Sequence, residues 1–238
     1  VLNVPDLINV WYQGQAARAT QPIPPVVAGH DPKLDVGVKY DPETAKKLLD
    51  RFGYKDRDGD GWRDLPDGKP LVLQMGSSTS GRDRERDELW TKSMAAIGLR
   101  IEFIKQKWPE LLKMGRAAKL QMWPVGWITT FGEGDAFMQL LYSGNIGQSN
   151  YARFVNAEYD DLYRQSKRIP DGPERTAIYA RMAKIIAAYT PWDIGVYRYE
   201  NTLVRPWVRG YVKNVYNEHP WQYLDVDLDR RAVKPARD

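Results

Sequence analysis

Three apolar stretches decide how the chain folds: Pro70-Leu71-Val72-Leu73-Gln74-Met75, Leu99-Arg100-Ile101-Glu102-Phe103-Ile104-Lys105 and Leu120-Gln121-Met122-Trp123-Pro124-Val125-Gly126-Trp127. In the second, Leu99, Ile101 and Phe103 alternate with Arg100 and Glu102, the period-2 signature of a strand with one covered face. The charged stretch Arg82 to Ile97 separates it from the first and carries Leu89, Trp90, Met94 and Ile97 on one helical face, with Gly98 as its stop. Trp108 to Ala118 reads as a second helix before the third stretch. Strand, helix, strand, helix, strand is the rhythm of an α/β layer.

Working outward, Tyr40-Asp41-Pro42 opens the clearest helix. Asp41 is the N-cap and Pro42 suits the first turn, while Ala45, Leu48, Leu49 and Phe52 come at i, i+3, i+4 and i+7 up to Gly53. Pro5 to Tyr12 reads as the tail of a helix ending near Gly14, and a loop rich in proline runs on through Pro22, Pro24, Pro25 and Gly29. Further helices are expected over Ala136 to Tyr142, Ala157 to Lys167 and Pro173 to Tyr189. The last places Ile178, Met182, Ile185, Ile186 and Tyr189 on one face. Strands return at Ile194 to Tyr199, Leu203-Val204 and Val208 to Val215, and the charged Arg230 to Asp238 is expected to fray.

The 238 residues are 42% hydrophobic and 28% charged, enough to bury a core and too apolar for disorder as the main state. Mean hydropathy is −0.59, and no run approaches the ~18 apolar residues of a membrane-spanning helix. Val1 to Pro5 lacks the basic-then-apolar pattern of a signal peptide, so a leader has been removed or the sequence starts inside a longer protein. Cysteine is absent, which excludes disulfides, thiolate metal sites and cysteine nucleophiles. His30 and His219 are the only histidines, too few for a multi-histidine metal site. A net charge of +4 spread along the chain gives no footprint for nucleic acid. Nine Trp and fourteen Tyr are the unusual counts; such rings line ligand clefts as well as cores.

Counted from Asp56, acidic side chains fall at positions 1, 3, 5, 9 and 12 (Asp56, Asp58, Asp60, Asp64, Asp67), with Gly61 at 6 and the Trp62 carbonyl at 7. That is the spacing of a calcium loop, because a hard cation wants a crowd of oxygens about a sharp turn. Position 12 is the shorter Asp, and a strand comes next rather than a helix. The expectation is therefore either a solvated acidic turn or a structural calcium site that braces the loop; no cofactor is required. Nucleophile elbows and Gly-rich phosphate loops are absent, and Glu133 with Asp135 reads first as a helix cap rather than a catalytic carboxylate pair.

The remaining stretch is Trp123-Pro124-Val125-Gly126-Trp127-Ile128-Thr129-Thr130-Phe131-Gly132-Glu133-Gly134-Asp135-Ala136-Phe137. A strand delivers Trp127 and opens into a Gly-rich loop leading to a helix, where ligands sit in open α/β sheets. Trp123 and Trp127, four apart, share a strand face and form either core or one wall of a cleft.

From this loop outward the sequence resembles the C-terminal portion of the family 5 extracellular solute-binding proteins, the receptors of peptide, dipeptide and nickel ABC importers. The motifs are Tyr40 to Leu49 ending in Phe52-Gly53-Tyr54, Asp67-Gly68-Lys69-Pro70-Leu71, Gly126-Trp127, Asn150-Tyr151 with Asn156, Asp160-Asp161-Leu162, and Glu174-Arg175 leading to Pro191. Together they run in the family's order from about Asp6 to Asp227. The resemblance implies an α/β fold, a periplasmic binding protein type II-like C-terminal lobe with a mixed sheet flanked by helices. Residues 1–190 would be that second lobe. Residues 191–238 would be a hinge and terminal strand segment returning to a first lobe that lies outside this chain.

The resemblance further implies a non-enzymatic, periplasmic or otherwise extracytoplasmic receptor, with a lipid anchor left open. It would capture a peptide-like or other small solute between two lobes and deliver it to ABC importer membrane subunits. Carried over residue by residue, Gly126 and Trp127 match the cleft strand, Trp108 a pocket-lining aromatic, and Tyr197 or Tyr199 the hinge strand at the cleft. Where peptide binders place an aspartate for the peptide ammonium, this sequence has Thr130; Pro124 stands where some oligopeptide binders carry arginine. A neutral hydroxyl cannot give the charge-assisted pairing a buried ammonium needs, leaving Glu133 or Asp135 as substitutes. Two other readings stay open: a carbohydrate-binding or glycoside-active protein using Trp127 and Glu133, and a calcium-stabilised interaction domain.

Overall fold

A computed structural model describes residues 2–129, 132–213 and 220–229. The helices start where the sequence supplies caps. Asn3 accepts the Asp6 amide to open α1 (Val4–Asp6), which runs on as a π turn, Leu7–Trp11, and is followed by β1 (Ala16–Arg18). The Asp41 carboxylate accepts the Thr44 amide at 2.9 Å to open α2 (Pro42–Arg51). Ser80 caps α3 (Gly81–Ala95), which joins β2 (Val72–Ser78) to β3 (Arg100–Gln106). Then come α4 (Trp108–Arg116), the short α5 (Asp135–Met138), α6 (Ala157–Ser166, capped by Asn156) and α7 (Pro173–Tyr189). The chain closes with β4 (Val196–Arg198), β5 (Val208–Arg209) and β6 (Asp225–Val226).

β2 and β3 pair in parallel, from Val72 opposite Arg100 to Ser78 opposite Gln106, with α3 as the crossover. The strand expected over Leu120 to Trp127 is reduced to one parallel bridge, Met75 to Met122, closed by Gly76 N to Met122 O at 2.8 Å. Beyond it Pro124 has no N–H to donate, and residues 123–129 run as irregular chain along the end of the layer. The α/β layering therefore holds, while the sheet comes in short pieces. β1 and β4 form a separate antiparallel ribbon that stitches the N-terminal segment to the chain beyond Pro191, and β5 pairs with β6. The expected strand at Leu203-Val204 does not form, and Val208 to Val215 shortens to β5, its last two residues lying outside the described set. The charged Arg230 to Asp238 lies outside it too.

Two cores result. In one, α6 packs on α7 through Tyr159, Leu162, Met182 and Ile186, with Ile23 and Leu141 closing the ends. Each such fully buried side chain contributes about 1.5–3 kcal/mol. The Tyr159 hydroxyl, pushed well above its usual range by burial, donates to Met138 O at 2.7 Å. The smaller core lies under α3, where Met94, Ile97 and Leu99 meet Leu49, Leu71 and Trp90. Among the described residues no helix is long and apolar enough to cross a membrane.

Candidate functional site

Parallel strands leave their carboxyl ends facing the same way, and the chain leaving those ends lines a candidate cleft. Here β2 ends in Ser77-Ser78 and turns into α3, β3 ends in Lys105-Gln106 and turns into α4 at Trp108, and the stretch past Met122 delivers Trp123 to Trp127. All three land on one edge.

The base of this edge is a buried polar trio. Ser77 Oγ donates to the Asp87 carboxylate at 2.7 Å, and Lys105 Nζ donates to Ser77 Oγ at 3.1 Å and to Asp87 Oδ2. Ser77 and Asp87 are buried while Lys105 is partly exposed, so the ammonium neutralises Asp87 from the solvent side. With the Ser78 carbonyl also within 3.5 Å, the three ammonium protons all have protein partners. The trio locks α3 and β3 to the end of β2. Sequence reading missed it because the three residues are separated by 10 to 28 positions.

Above the trio stands an aromatic wall. The rings of Trp108 and Trp123 lie 5.1 Å apart, and Trp123 and Tyr151 lie 5.6 Å apart. Trp123 reaches α4 only because residue 115 is glycine: a Cβ there would meet its ring at 2.8 Å. Trp108 is 50% exposed and Trp127 40%, with Val125, Gly126 and Ile128 also exposed beside it. Of the two tryptophans left open between core and wall, Trp127 thus presents its indole to solvent, and Trp123 is the packed one.

The turn after Trp127 is held from behind. Ala28 bridges to Glu133, with Ala28 N donating to Gly132 O at 2.9 Å and Gly134 N to Ala28 O at 2.9 Å. Glu133 is half exposed and its carboxylate lies 4.0 Å from Arg175. Asp135 faces the helices, pairing with Lys167 at 2.9 Å. Its charge adds to the burial that pushes the Tyr163 hydroxyl up. Thr130 lies outside the described residues. Tyr199 is exposed on the chain just past the β1–β4 ribbon, but the Tyr197 hydroxyl is engaged with the chain: it donates to Gln21 O at 2.7 Å and accepts the Gln21 amide at 3.1 Å.

In the aspartate-rich turn the structure brings together Asp56, Asp58 and Asp64, with carboxylate oxygens within 4.8 Å of one another. Two predicted ligands point elsewhere: Asp60 pairs with Arg100, whose guanidinium also stacks on Trp62, and Asp67 pairs with Lys69 at 2.7 Å. Asp56 accepts the Gly59 and Gly61 amides, and the buried Asp64 accepts the Arg57 amide. Within the turn Asp56 and Asp64 thus hold backbone amides, while Asp60 is held by Arg100.

The chain is similar to known proteins over most of its length. Heme-binding protein A of Haemophilus influenzae is 28% identical over 93% of this chain and 39% of its own length. Among solved structures, the periplasmic binding protein DppA of Helicobacter pylori in complex with the peptide STSA superposes with a TM-score of 0.79. It is 23% identical over 95% of this chain and 42% of its own. The oligopeptide-binding protein AppA of Bacillus subtilis, in complex with a nonapeptide, gives 0.81 at 20% identity over 94% and 45%. The chain thus spans about two fifths of the length of the relatives it matches. Residues 1–149 match the family described as bacterial extracellular solute-binding proteins, family 5 Middle. With that match covering more than half of the sequence, this chain belongs to the family 5 bacterial extracellular solute-binding proteins.

Proposed function

We propose that the chain is the C-terminal lobe of a receptor that captures a small, peptide-like solute between two lobes outside the cytoplasmic membrane and passes it to the membrane subunits of an ABC importer. The observation that carries the reading is the exposed pair Trp108 and Trp127 at the common carboxyl edge of β2, β3 and the Met122 bridge. Exposed large rings at such an edge are binding surface waiting for a second wall.

Residues 1–190 form this lobe, and the segment from 191 onward returns toward the other. Leu203, Val212, Trp221, Tyr223 and Leu228 are all exposed there, Leu203 at 96%, and a neighbouring lobe would cover them. The fragment alone then binds weakly, and hinge closure in the longer receptor completes the site. Binding needs no cofactor and no chemistry. A glycosidase reading has less support, because Asp135 is paired with Lys167 at 2.9 Å and faces the helices rather than Glu133.

The test is calorimetry with di- and tripeptides, free and N-acetylated, on the longer receptor. Trp127→Ala is expected to lower affinity at least about tenfold while leaving the melting temperature within about 2 °C, as suits an exposed side chain. Retained affinity would remove Trp127 from the site. With Thr130 in the sequence and Asp135 held by Lys167, N-acetylation is expected to change affinity little.

A further inference from the structure

The exposed ring of Trp108 has a support behind it. Trp108 opens α4, and among the described residues one ring lies against it: Trp123, with ring centres 5.1 Å apart and planes tilted by 38°. At that spacing two aromatic rings attract beyond the area they bury.

Trp123 is itself held in three ways. Its backbone follows Met122, whose amide donates to Gln74 O at 3.2 Å and whose carbonyl accepts Gly76 N at 2.8 Å. Its ring lies 5.6 Å from that of Tyr151. Tyr151 follows the fully buried Asn150, which donates to Tyr142 O at 3.1 Å and Phe154 O at 3.0 Å, and Arg153 of the same loop donates to Arg116 O at 3.0 Å, at the end of α4. The third support is Gly115, buried on α4, where a Cβ would meet Trp123 Cζ3 at 2.8 Å and Cε3 at 3.0 Å. A packed interior does not absorb so close an approach, so any side chain at 115 displaces the indole. Gly115 stands within a helix and has no positive φ, and alanine is the better helix former there. Room for the Trp123 ring, rather than backbone conformation, is what the glycine provides.

We propose that Gly115 and Trp123 are positioning residues for solute capture: by seating the Trp123 ring against α4 they fix the plane of the exposed Trp108 ring before the solute arrives. A side chain ordered beforehand loses little rotamer freedom on binding, which is how a rigid aromatic contact gains affinity. The inference rests on Trp108 being a solute contact, as proposed above. It goes further by giving two residues a part in capture that requires neither to touch the solute.

The experiment is calorimetry with di- and tripeptides on the longer receptor, native and variant. Gly115→Ala should weaken binding about two- to tenfold, the worth of one aromatic pair. Its melting temperature should stay within about 2 °C, since better helix propensity offsets the displaced ring. Trp123→Leu, which removes the ring that the new Cβ would meet, should weaken binding to a similar extent, and adding Gly115→Ala to it should weaken binding no further. In near-ultraviolet circular dichroism of the 238-residue chain, the paired indoles should give a signal that both single variants diminish. Unaltered affinity or an unaltered spectrum in Gly115→Ala, or affinity losses that multiply in the double variant, overturns the inference and leaves the receptor reading standing. Absence of peptide binding by the native receptor overturns both.

Discussion

Removing one oxygen atom separates two roles for Tyr197. The sequence resemblance places it among the solute contacts, whereas the fold employs its hydroxyl as a rivet across 176 residues of chain. That hydroxyl donates to Gln21 O at 2.7 Å and accepts the amides of Gln21 at 3.1 Å and Thr20 at 3.3 Å. Gln21 is almost fully buried, so Tyr197→Phe leaves its amide and carbonyl facing a ring edge that can satisfy neither. Each backbone group so stranded costs about 1–3 kcal/mol, and partial access for water at the ribbon lowers the sum to about 2–3 kcal/mol. For a chain of this size that corresponds to a drop in melting temperature of roughly 5–10 °C. The assay is urea unfolding followed by far-ultraviolet circular dichroism. The midpoint should fall and the m-value stay constant, since the surface exposed on unfolding is unchanged. Solute affinity should stay within about threefold, a change under 1 kcal/mol. A loss of stability below about 0.5 kcal/mol with affinity abolished would refute the reasoning and return Tyr197 to the solute.

The buried trio makes a second prediction. Asp87→Ala should cost about 2–3 kcal/mol in the same unfolding assay, below the usual range for a broken buried pair because Lys105 can turn to solvent. An unchanged midpoint would show that the trio does not stabilise the fold. Acid should also weaken the fold. Arg18 lowers the Asp35 carboxyl, Thr44 that of Asp41, Arg63 that of Asp50 and Lys69 that of Asp67. Each contribution is complete above the unfolded-state value near pH 4 and is lost as pH falls through the lowered folded value. Melting temperature should therefore decline below about pH 4, and a flat profile down to about pH 2.5 would contradict those pairings. Calcium at about 1 mM should raise the melting temperature by no more than about 1 °C, and Arg100→Ala, which frees Asp60, should enlarge the effect. A rise above about 5 °C in the native chain would mean a complete cation site.

Local signals carry much of the fold. The helix read over Pro173 to Tyr189 forms over those same residues, and Asp41-Pro42 starts α2 as its side chain and ring require. β2 and β3 are legible because alternation or a short apolar run between a turn and a capped helix leaves few alternatives. The stretch from Leu120 to Trp127 departs from its strand pattern for a physical reason: past Met122, Pro124 has no N–H to donate to the edge of β2, and β2 itself ends at Ser78. Val208 to Val215 shortens likewise, with β6 pairing only its first two residues. Of the candidate site, Trp108 and Trp127 are legible in the sequence, and both are exposed. Pairings between distant residues are not, such as Tyr197 with Gln21, Lys105 with Asp87 and Glu133 with Arg175. No periodicity marks them, and each depends on how whole elements pack.

The exposure of Trp108, Trp127 and Trp221 is better explained by one cause than by two. In a self-contained domain, rings such as Trp108, Trp127 and Trp221 would be covered by neighbouring helices, as Tyr159 and Tyr179 are. Here these rings fall in two places, the carboxyl edge of the parallel pair and the segment beyond Pro191. The β1–β4 ribbon ties the N-terminal segment to the start of the chain beyond Pro191, since Ala16–Arg18 pairs with Val196–Arg198. A second lobe carried on that ribbon would cover the return segment permanently and the carboxyl edge only when a solute lies between. The two patches should then respond differently to ligand. In the longer receptor, solute should slow exchange or labelling near Trp108 and Trp127 while leaving Leu203 and Trp221 protected throughout. Protection of both patches only in the presence of solute would mean that the return segment belongs to the cleft, and that the boundary near residue 190 is misplaced.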